Sequence, residues 1–184
     1  MLPILLAIAF IAILFFVIIA GRPDEFVVSR ATNISAAPAV VFAQVNDFHK
    51  WEAWSPWAKM DPACKNSFDG ASSGTSAGFA WDGNKKVGAG RMTITESRPG
   101  DLILISLEFL KPFKATNTAE FTFKPEGNQT VVTWSMAGKN NFFFKVFGLF
   151  LDCDKMVGKD FENGLAAMKS VAEAADKNQP GRSW

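Results

Sequence analysis

The first 21 residues form an uninterrupted apolar run that differs from the rest of the chain. MLPILLAIAFIAILFFVIIAG contains no charged side chain, and the first one is Arg22. A helix of about 20 residues spans the ~30 Å hydrocarbon core of a bilayer, so residues 1–21 predict a transmembrane anchor. A cleaved signal peptide fits less well, because no Lys or Arg precedes the run and because the run is longer than a usual h-region. A buried soluble helix would rarely be apolar on every face.

A strand and two short helices are predicted after the apolar run. The segment DEFVVSRATNIS is rich in β-branched residues, which favours a strand. Val41, Phe42 and Val45 then form a helical stripe. The stretch WEAWSPW predicts a second short helix, which ends before Pro56 because a residue preceding proline avoids the helical region.

The remainder of the chain predicts a meander of strands followed by one long helix. Between residues 64 and 138, turns rich in Gly, Pro and Asn separate about six short runs, a pattern typical of antiparallel hairpins. The apolar residues of the C-terminal region then recur at helical spacing on one stripe: Cys153, Met156, Val157, Phe161, Leu165, Met168 and Val171. We expect one folded domain over residues 24–177 and a flexible tail over residues 178–184.

This order of elements predicts an α+β fold of helix-grip type. In such a fold a curved antiparallel sheet holds a long C-terminal helix across its concave face. Gly158 and Gly164 lie within the long helix, where each costs about 1 kcal/mol relative to alanine. They either allow the sheet to approach the helix closely or leave room for a ligand.

Composition and charge exclude several classes of function. The 19 basic and 18 acidic side chains give a net charge of +1, so the chain offers no field that would hold a nucleic acid. The cysteines, Cys64 and Cys153, are far apart, and His49 is the chain's only histidine. A soft metal site would therefore lack ligands, and we expect neither a metal nor another cofactor.

Three tryptophans follow the single histidine at intervals of three residues. On a short helix, Trp51, Trp54 and Trp57 would face roughly one way. They either pack as core or form the rim of a pocket, where an indole offers an apolar wall and one N–H donor. We expect Trp54 to be core and Trp51 or Trp57 to be rim. His49 has no serine or cysteine at a recognised nucleophile spacing, which favours a structural or exposed role.

The strands contain bulky apolar pairs at i, i+2 spacing, so the members of each pair share one face of the sheet. These pairs are Phe79 and Trp81, Met92 and Ile94, Phe121 and Phe123, and Trp134 and Met136. Core packing explains each pair, but Phe, Trp and Met together also suit an apolar pocket that tolerates different shapes.

From these patterns we predict an apolar cavity of a few hundred Å³ between the sheet and the C-terminal helix. The predicted ligand-binding residues are Trp51, Trp54, Trp57, Phe79, Trp81, Met92, Phe121, Trp134, Met136, Met156 and Asp160. Glu108, Glu120 and Asp160 are the acids to examine, because a carboxylate inside such a pocket would have a raised pKa and could act as a general acid or base. No catalytic residue is assigned.

The segment NNFFFKVFGLFLD holds more phenylalanines than one helical stripe can bury. The five are Phe142, Phe143, Phe144, Phe147 and Phe150. Some of them are expected to be exposed, to form a lid or to contact lipid.

Four motifs in a fixed order resemble the SRPBCC superfamily: NDFHKWEAWSPW, VGAGRMTITESRP, FLKPFKATNTAEFTF and DKMVGKDFENGL. This is the START-like, birch-pollen-allergen-like fold that includes polyketide cyclase/dehydrase and lipid-transport proteins. The chain is most similar to membrane-anchored bacterial members. The resemblance covers about residues 26–175 and implies a cavity for hydrophobic ligands, on which only some members perform chemistry.

The expected function is therefore membrane-tethered binding of a hydrophobic or lipid-like small molecule. Two alternatives stay open: a cyclase- or dehydratase-like enzyme that uses a pocket acid, and an accessory subunit that docks a membrane partner. The expected location is a membrane crossed once, which the resemblance places in the bacterial inner membrane. Arg22 and Arg30 weakly favour a cytoplasmic domain, although Asp24 and Glu25 lie between them.

Overall fold

The protein was analysed as a computed structural model that describes residues 1–140, 145–146, 148 and 153–178. Its helices are α1 (Leu2–Ala20), α2 (Pro38–Val45), α3 (Trp51–Trp54) and α4 (Cys153–Lys177), and a 3-10 turn, Phe48–Lys50, precedes α3. Its strands are β1 (Glu25–Ile34), β2 (Lys65–Gly70), β3 (Ala77–Asp82), β4 (Ala89–Arg98), β5 (Leu102–Lys111), β6 (Ala115–Glu126) and β7 (Gln129–Lys139). The predicted order of strand, short helices, six strands and long helix is confirmed.

The seven strands form one antiparallel sheet in the order β1-β7-β6-β5-β4-β3-β2. Strands β2 to β7 are neighbours in sequence order, and β1 joins the end of this meander by pairing with β7. Tight turns make the hairpins possible: Gly100 and Gly127 adopt positive φ angles of 70° and 56°, a conformation that favours glycine. The helix-grip prediction is confirmed by this sheet together with α4.

The antiparallel pairing gives the sheet two distinct ends. At one end β1 begins, β7 ends, and the β3–β4 and β5–β6 turns project; this is the anchor end, because α1 enters there. The register shows the alignment, since Glu25 pairs with Lys139, Gly138 pairs with Asn117, and Asn117 pairs with Leu107. The β2–β3, β4–β5 and β6–β7 turns project at the opposite, distal end.

Helix α4 packs against β1, α2 and α3. The residues that α4 buries are Gly158, Phe161, Gly164, Leu165, Met168, Ala172 and Asp176. Met156 is 59% exposed, so its predicted place on the buried stripe is wrong. At about 100° per residue, Met156 lies about 200° around the helix from Gly158, the residue that faces β1.

Arg30 on β1 contacts the first turns of α4. Its guanidinium hydrogen-bonds Asp154 at 3.0 and 3.1 Å and Glu162 at 3.1 Å, which brings Gly158 over the arginine. The hydrogen bond from Arg30 lowers the pKa of the Asp154 carboxyl. Because both acids are exposed, the bridge positions the helix more than it stabilises the fold.

Helix α1 is apolar on all sides and is long and apolar enough from Pro3 to Ala20 to cross a membrane. Only four residues separate it from β1, and three of them are hydrogen-bonded to residues that follow β7. The amide of Asn140 donates to the Asp24 carbonyl at 2.7 Å, its side chain donates to the Pro23 carbonyl at 3.2 Å, and Arg22 donates to the Gly148 carbonyl at 2.7 Å. The junction between helix and sheet is therefore ordered.

Candidate functional site

The indoles of Trp51 and Trp54 are fixed at the end of α2. Trp51 Nε1 donates to the Val45 carbonyl and Trp54 Nε1 to the Gln44 carbonyl, each at 3.0 Å. The last carbonyls of a helix have no partner within the helix, so these two N–H groups satisfy them. Both tryptophans are buried, which places Trp51 and Trp54 in the core.

Trp134 on β7 is the centre of an aromatic cluster between the sheet and the helices. Its ring stacks on Phe161 of α4 with the centroids 4.0 Å apart, and on Phe121 of β6 at 4.9 Å. Trp54 and Trp57 present their edges to it, both at 5.7 Å. The prediction of a cavity is therefore wrong for the middle of the interface between the sheet and the helices. Side chains that were expected to line a cavity there contact one another instead.

One polar atom in this cluster lacks a hydrogen-bond partner. Trp134 Nε1 is the buried side-chain nitrogen or oxygen without a partner in the part of the chain that the structure describes. Leaving a buried donor unpaired costs about 1–3 kcal/mol. The cluster thus retains an unused hydrogen-bond donor.

The two helical glycines allow close packing. A Cβ on Gly158 would overlap the guanidinium of Arg30. A Cβ on Gly164 would lie 2.9 Å from the Trp134 ring and 3.0 Å from Pro56 Cδ. Of the two explanations that the sequence left open, close approach holds for both glycines.

Replacing Gly164 with alanine is expected to lower the free energy of unfolding by about 1 kcal/mol, because overpacking strain of about 1–3 kcal/mol exceeds the gain of about 1 kcal/mol in helix propensity. The methyl group would press on an indole and a proline ring, which cannot move aside as a flexible side chain would. Urea denaturation measures the change. The exposed neighbour Asn163→Ala is the matched control and should be neutral or slightly stabilising; an unchanged or higher midpoint for Gly164→Ala would contradict close packing.

Trp57 and Asp160 form a separate, partly exposed pair beside this cluster. Burial raises the pKa of the Asp160 carboxyl, and a hydrogen bond from the Trp57 side chain partly offsets the rise. Glu108 is exposed and Glu120 half-buried, and both alternate with inward-facing neighbours, so they lie on the convex face. Of the three acids examined, Asp160 alone lies on the helix side of the sheet.

The apolar inner face is less covered at the anchor end. Phe79, Trp81, Leu107 and Phe109 are each only partly buried there. Trp81 lies over Gly90, where a Cβ would contact its ring, and its edge-on contact with Phe109 has a centroid distance of 6.1 Å. This partly open apolar area, together with Met92, Asn117 and Met136 beside it, is termed the anchor-end patch.

Asn117 contributes a polar group to the anchor-end patch. It is buried, and its Nδ2 donates to the Met136 sulfur at 3.7 Å. A thioether is a weak acceptor, so most of the hydrogen-bonding capacity of the amide is unused. Met92 and Met136 are both buried beside it.

Sequence reasoning missed Leu107, Phe109 and Asn117, although alternation contains the signal. Leu107 and Phe109 continue the parity of Ile103 and Ile105, which are buried on β5. Asn117 shares the parity of Ala119 and Phe121 on β6. A polar residue in a strand is usually assigned to the solvent side. The sequence signal that Asn117 faces inward is that it alternates in step with Ala119 and Phe121.

His49 is separated from the anchor-end patch by Phe68, whose ring contacts Phe79 with the centroids 5.3 Å apart. The His49 ring stacks on Phe68 with the centroids 4.0 Å apart, and its Nδ1 is 2.9 Å from Asp47 Oδ1. It borders an open surface depression of about 500 Å³ that also includes Gln44 and Glu52. Within the described ranges, no group of three or more His, Cys, Asp or Glu side chains is placed to hold a metal ion.

Some predicted features lie outside the described residues. The five phenylalanines between residues 142 and 150 belong to this set, as does the tail from residue 179 onward. The expectations of a lid, of lipid contact and of a flexible tail stay predictions.

An antiparallel sheet that holds a long C-terminal helix and presents an apolar inner face defines the helix-grip class of domains. Residues 25–173 match the family described as polyketide cyclase / dehydrase and lipid transport, and the chain belongs to that family. The resemblance to the SRPBCC superfamily is thereby confirmed, and the fold is one that binds hydrophobic ligands. Assignment to a membrane-anchored bacterial subgroup stays a prediction.

Solved structures with low sequence identity share the fold. Mll3558 from Rhizobium loti is 16% identical, with a TM-score of 0.61 over 79% of this chain and 96% of that one. SA2116 from Staphylococcus aureus is 9% identical, with a TM-score of 0.63 over 84% and 98%. Ara h 8.0201 is 9% identical, with a TM-score of 0.54 over 84% and 99%. No curated protein matches the chain in sequence.

Proposed function

We propose that the protein is a membrane-tethered module that binds a hydrophobic or lipid-like small molecule at the anchor-end patch. One observation carries the proposal: the partly uncovered apolar part of the inner face lies at the end of the sheet where α1 enters. The proposed site is therefore displaced from the centre of the sheet-helix interface, which Trp134 and Phe161 fill, to the anchor end. It retains Phe79, Trp81, Met92 and Met136 from the sequence-based set.

The chemistry of the patch suits a largely apolar ligand that carries a few polar atoms. The flat rings of Trp81 and Phe109 and the adaptable thioethers offer apolar contacts without demanding one shape. The Asn117 amide offers both donor and acceptor capacity on the same inner face, as expected of a pocket that orients an apolar molecule with few polar groups.

Tethering brings this site close to the source of its ligand. Apolar molecules partition into the bilayer, and residues 21–24 allow at most about 18 Å between the end of α1 and the start of β1. A ligand leaving the bilayer near α1 would therefore meet the anchor-end patch before the distal end of the sheet.

Ligand binding at the patch predicts a specific loss on truncating Phe109. We expect Phe109→Ala to weaken the binding of an environment-sensitive fluorescent fatty acid about ten-fold, the equivalent of about 1.4 kcal/mol of lost contact. Because Phe109 is only partly buried, stability should fall by about 1 kcal/mol, as for an ordinary substitution. Fluorescence titration and urea denaturation of the chain beginning at Asp24 measure the two effects.

Leu110→Ala is the matched control for this substitution. Leu110 is the next residue on β5, is 52% exposed and, by strand alternation, points away from the patch to the convex face. Equal affinity losses for the two variants, or no fatty-acid binding by the parent chain, would count against the patch. Native mass spectrometry of the detergent-purified full chain, with identification of released lipids, would name the ligand class.

A further inference from the structure

The β5–β6 turn presents an exposed aromatic side chain at the anchor end. Phe113 is 61% exposed, and neighbouring Leu110 is also exposed. Lys111 and Lys114 flank the phenylalanine in the sequence KPFK, and both are exposed. An aromatic side chain between lysines is typical of segments that rest at a bilayer surface, where the ring enters the headgroup region and the charges meet lipid phosphates.

The second turn at this end adds positive charge. The β3–β4 turn contains Lys85 and Lys86, both exposed. Lys111 pairs with Asp82 at 3.0 Å, whereas Lys85, Lys86 and Lys114 have no ion-pair partner within the part of the chain that the structure describes. Neither connecting segment, 83–88 or 112–114, contains an acidic residue.

The distal end of the sheet has a different character. Its connecting segments, 71–76, 99–101 and 127–128, contain one charged residue, Asp101, which pairs with Arg98 at 2.9 Å. Positive charge on the turns is therefore concentrated at the end from which α1 extends. This distribution is complementary to an anionic surface on the anchor side.

The dimensions of the sheet allow contact between the turn and the bilayer. Glu25 is level with Glu108 and Thr116, so β5 continues three residues, or about 10 Å, beyond the start of β1. The four residues that join β1 to α1 allow at most about 18 Å between Ala20 and Glu25, so the end of α1 lies within a comparable distance of the sheet. Three strand spacings, about 14 Å, separate β5 from β1 across the sheet. The tip of the β5–β6 turn thus reaches about the level at which α1 ends.

We propose that the β3–β4 and β5–β6 turns form a second membrane contact, in which Phe113 inserts into the headgroup region of an anionic bilayer and Lys85, Lys86 and Lys114 bind its phosphates. The contact rests on the proposed tethering by α1. It holds the anchor-end patch against the lipid surface. Each lysine near such a surface strengthens the contact roughly five-fold, and salt weakens it.

The test uses the full chain with a polarity-sensitive dye on one introduced cysteine. Cys64 and Cys153 are replaced by serine, and the dye is attached at Phe113→Cys or, as the matched control, at Asn128→Cys on the distal β6–β7 turn. Each protein is reconstituted into phosphatidylcholine vesicles with and without phosphatidylglycerol. We expect the dye at residue 113 to become several-fold brighter and blue-shifted in the anionic vesicles and to be quenched by brominated lipid, and the dye at residue 128 to stay unchanged.

Neutralising the three lysines and a flotation assay complete the test. Combining Lys85→Gln, Lys86→Gln and Lys114→Gln should abolish the difference between neutral and anionic vesicles at residue 113. Equal emission in the two vesicle types, or the same emission at residues 113 and 128, overturns the proposal. Flotation of the vesicles tests the tethering by α1 separately. If the chain floats but the dye emission is unchanged, the turn contact alone is refuted. If the chain fails to float, both the tether and the turn contact are refuted.

Discussion

Replacing Trp54 with alanine is expected to lower the free energy of unfolding by about 3–5 kcal/mol, the cost of removing a packed core tryptophan. Trp54 is 2% exposed, contacts Trp51 and Trp134 and donates a hydrogen bond to the Gln44 carbonyl. The substitution leaves a cavity and also deprives the end of α2 of a hydrogen-bond donor. A loss of this size is a large part of the total stability of a typical domain, so a substantial fraction of the variant should be unfolded at moderate temperature.

Trp57→Ala is the comparison that separates core from rim. Trp57 is partly exposed and meets the cluster edge-on, so its loss should cost about 1 kcal/mol. Trp51→Ala should resemble Trp54→Ala, because Trp51 is buried and hydrogen-bonded in the same way. Urea midpoints followed by far-ultraviolet circular dichroism would give all three values. Three equal losses would show that Trp57 is core as well.

Removing residues 1–23 is expected to convert a protein that resists carbonate extraction from membranes into a soluble, folded one. Apolar residues such as Leu, Ile, Phe and Val contribute about −0.3 to −0.6 kcal/mol each at the centre of a membrane helix, so the segment favours insertion by at most about 4–8 kcal/mol. No other described helix is long and apolar enough to span a membrane. Membrane fractionation of the full chain and of the chain beginning at Asp24 measures the effect.

The mass of the protein recovered from cells is the control for this experiment. A full-length mass in the membrane fraction supports an anchor. A shortened chain recovered only in the soluble fraction would show that residues 1–21 are a signal peptide. A chain beginning at Asp24 that stays with the membrane would place the attachment elsewhere.

The order of elements could be predicted from the sequence because apolar residues recur every second position in strands and every three to four positions in helices. The parity of the strands identified the inward-facing residues Phe121, Trp134 and Met136, and all three are buried. The helical stripe of α4 was correct from Phe161 onward. It failed at Met156, because Met156 lies five residues before Phe161, about 140° around the helix, and so falls off the stripe that Phe161, Leu165 and Met168 define.

The filled centre of the domain could not be read in the same way. Spacing tells which side chains share a face, but not whether rings on opposite elements meet. The stack of Trp134 on Phe161 depends on how β7 and α4 align in three dimensions. The glycine at position 164 permits this approach, and the sequence alone was equally consistent with room for a ligand. The location of the candidate site consequently had to come from the structure.

The short, hydrogen-bonded junction between α1 and β1 limits where the domain can work. Carriers that transfer lipids between two membranes need either free diffusion or a tether long enough to cross the gap. Here the four linking residues, hydrogen-bonded to Asn140 and Gly148, allow at most about 18 Å between α1 and β1. The proposed tether therefore confines the proposed search for ligand to lateral diffusion in the plane of one bilayer.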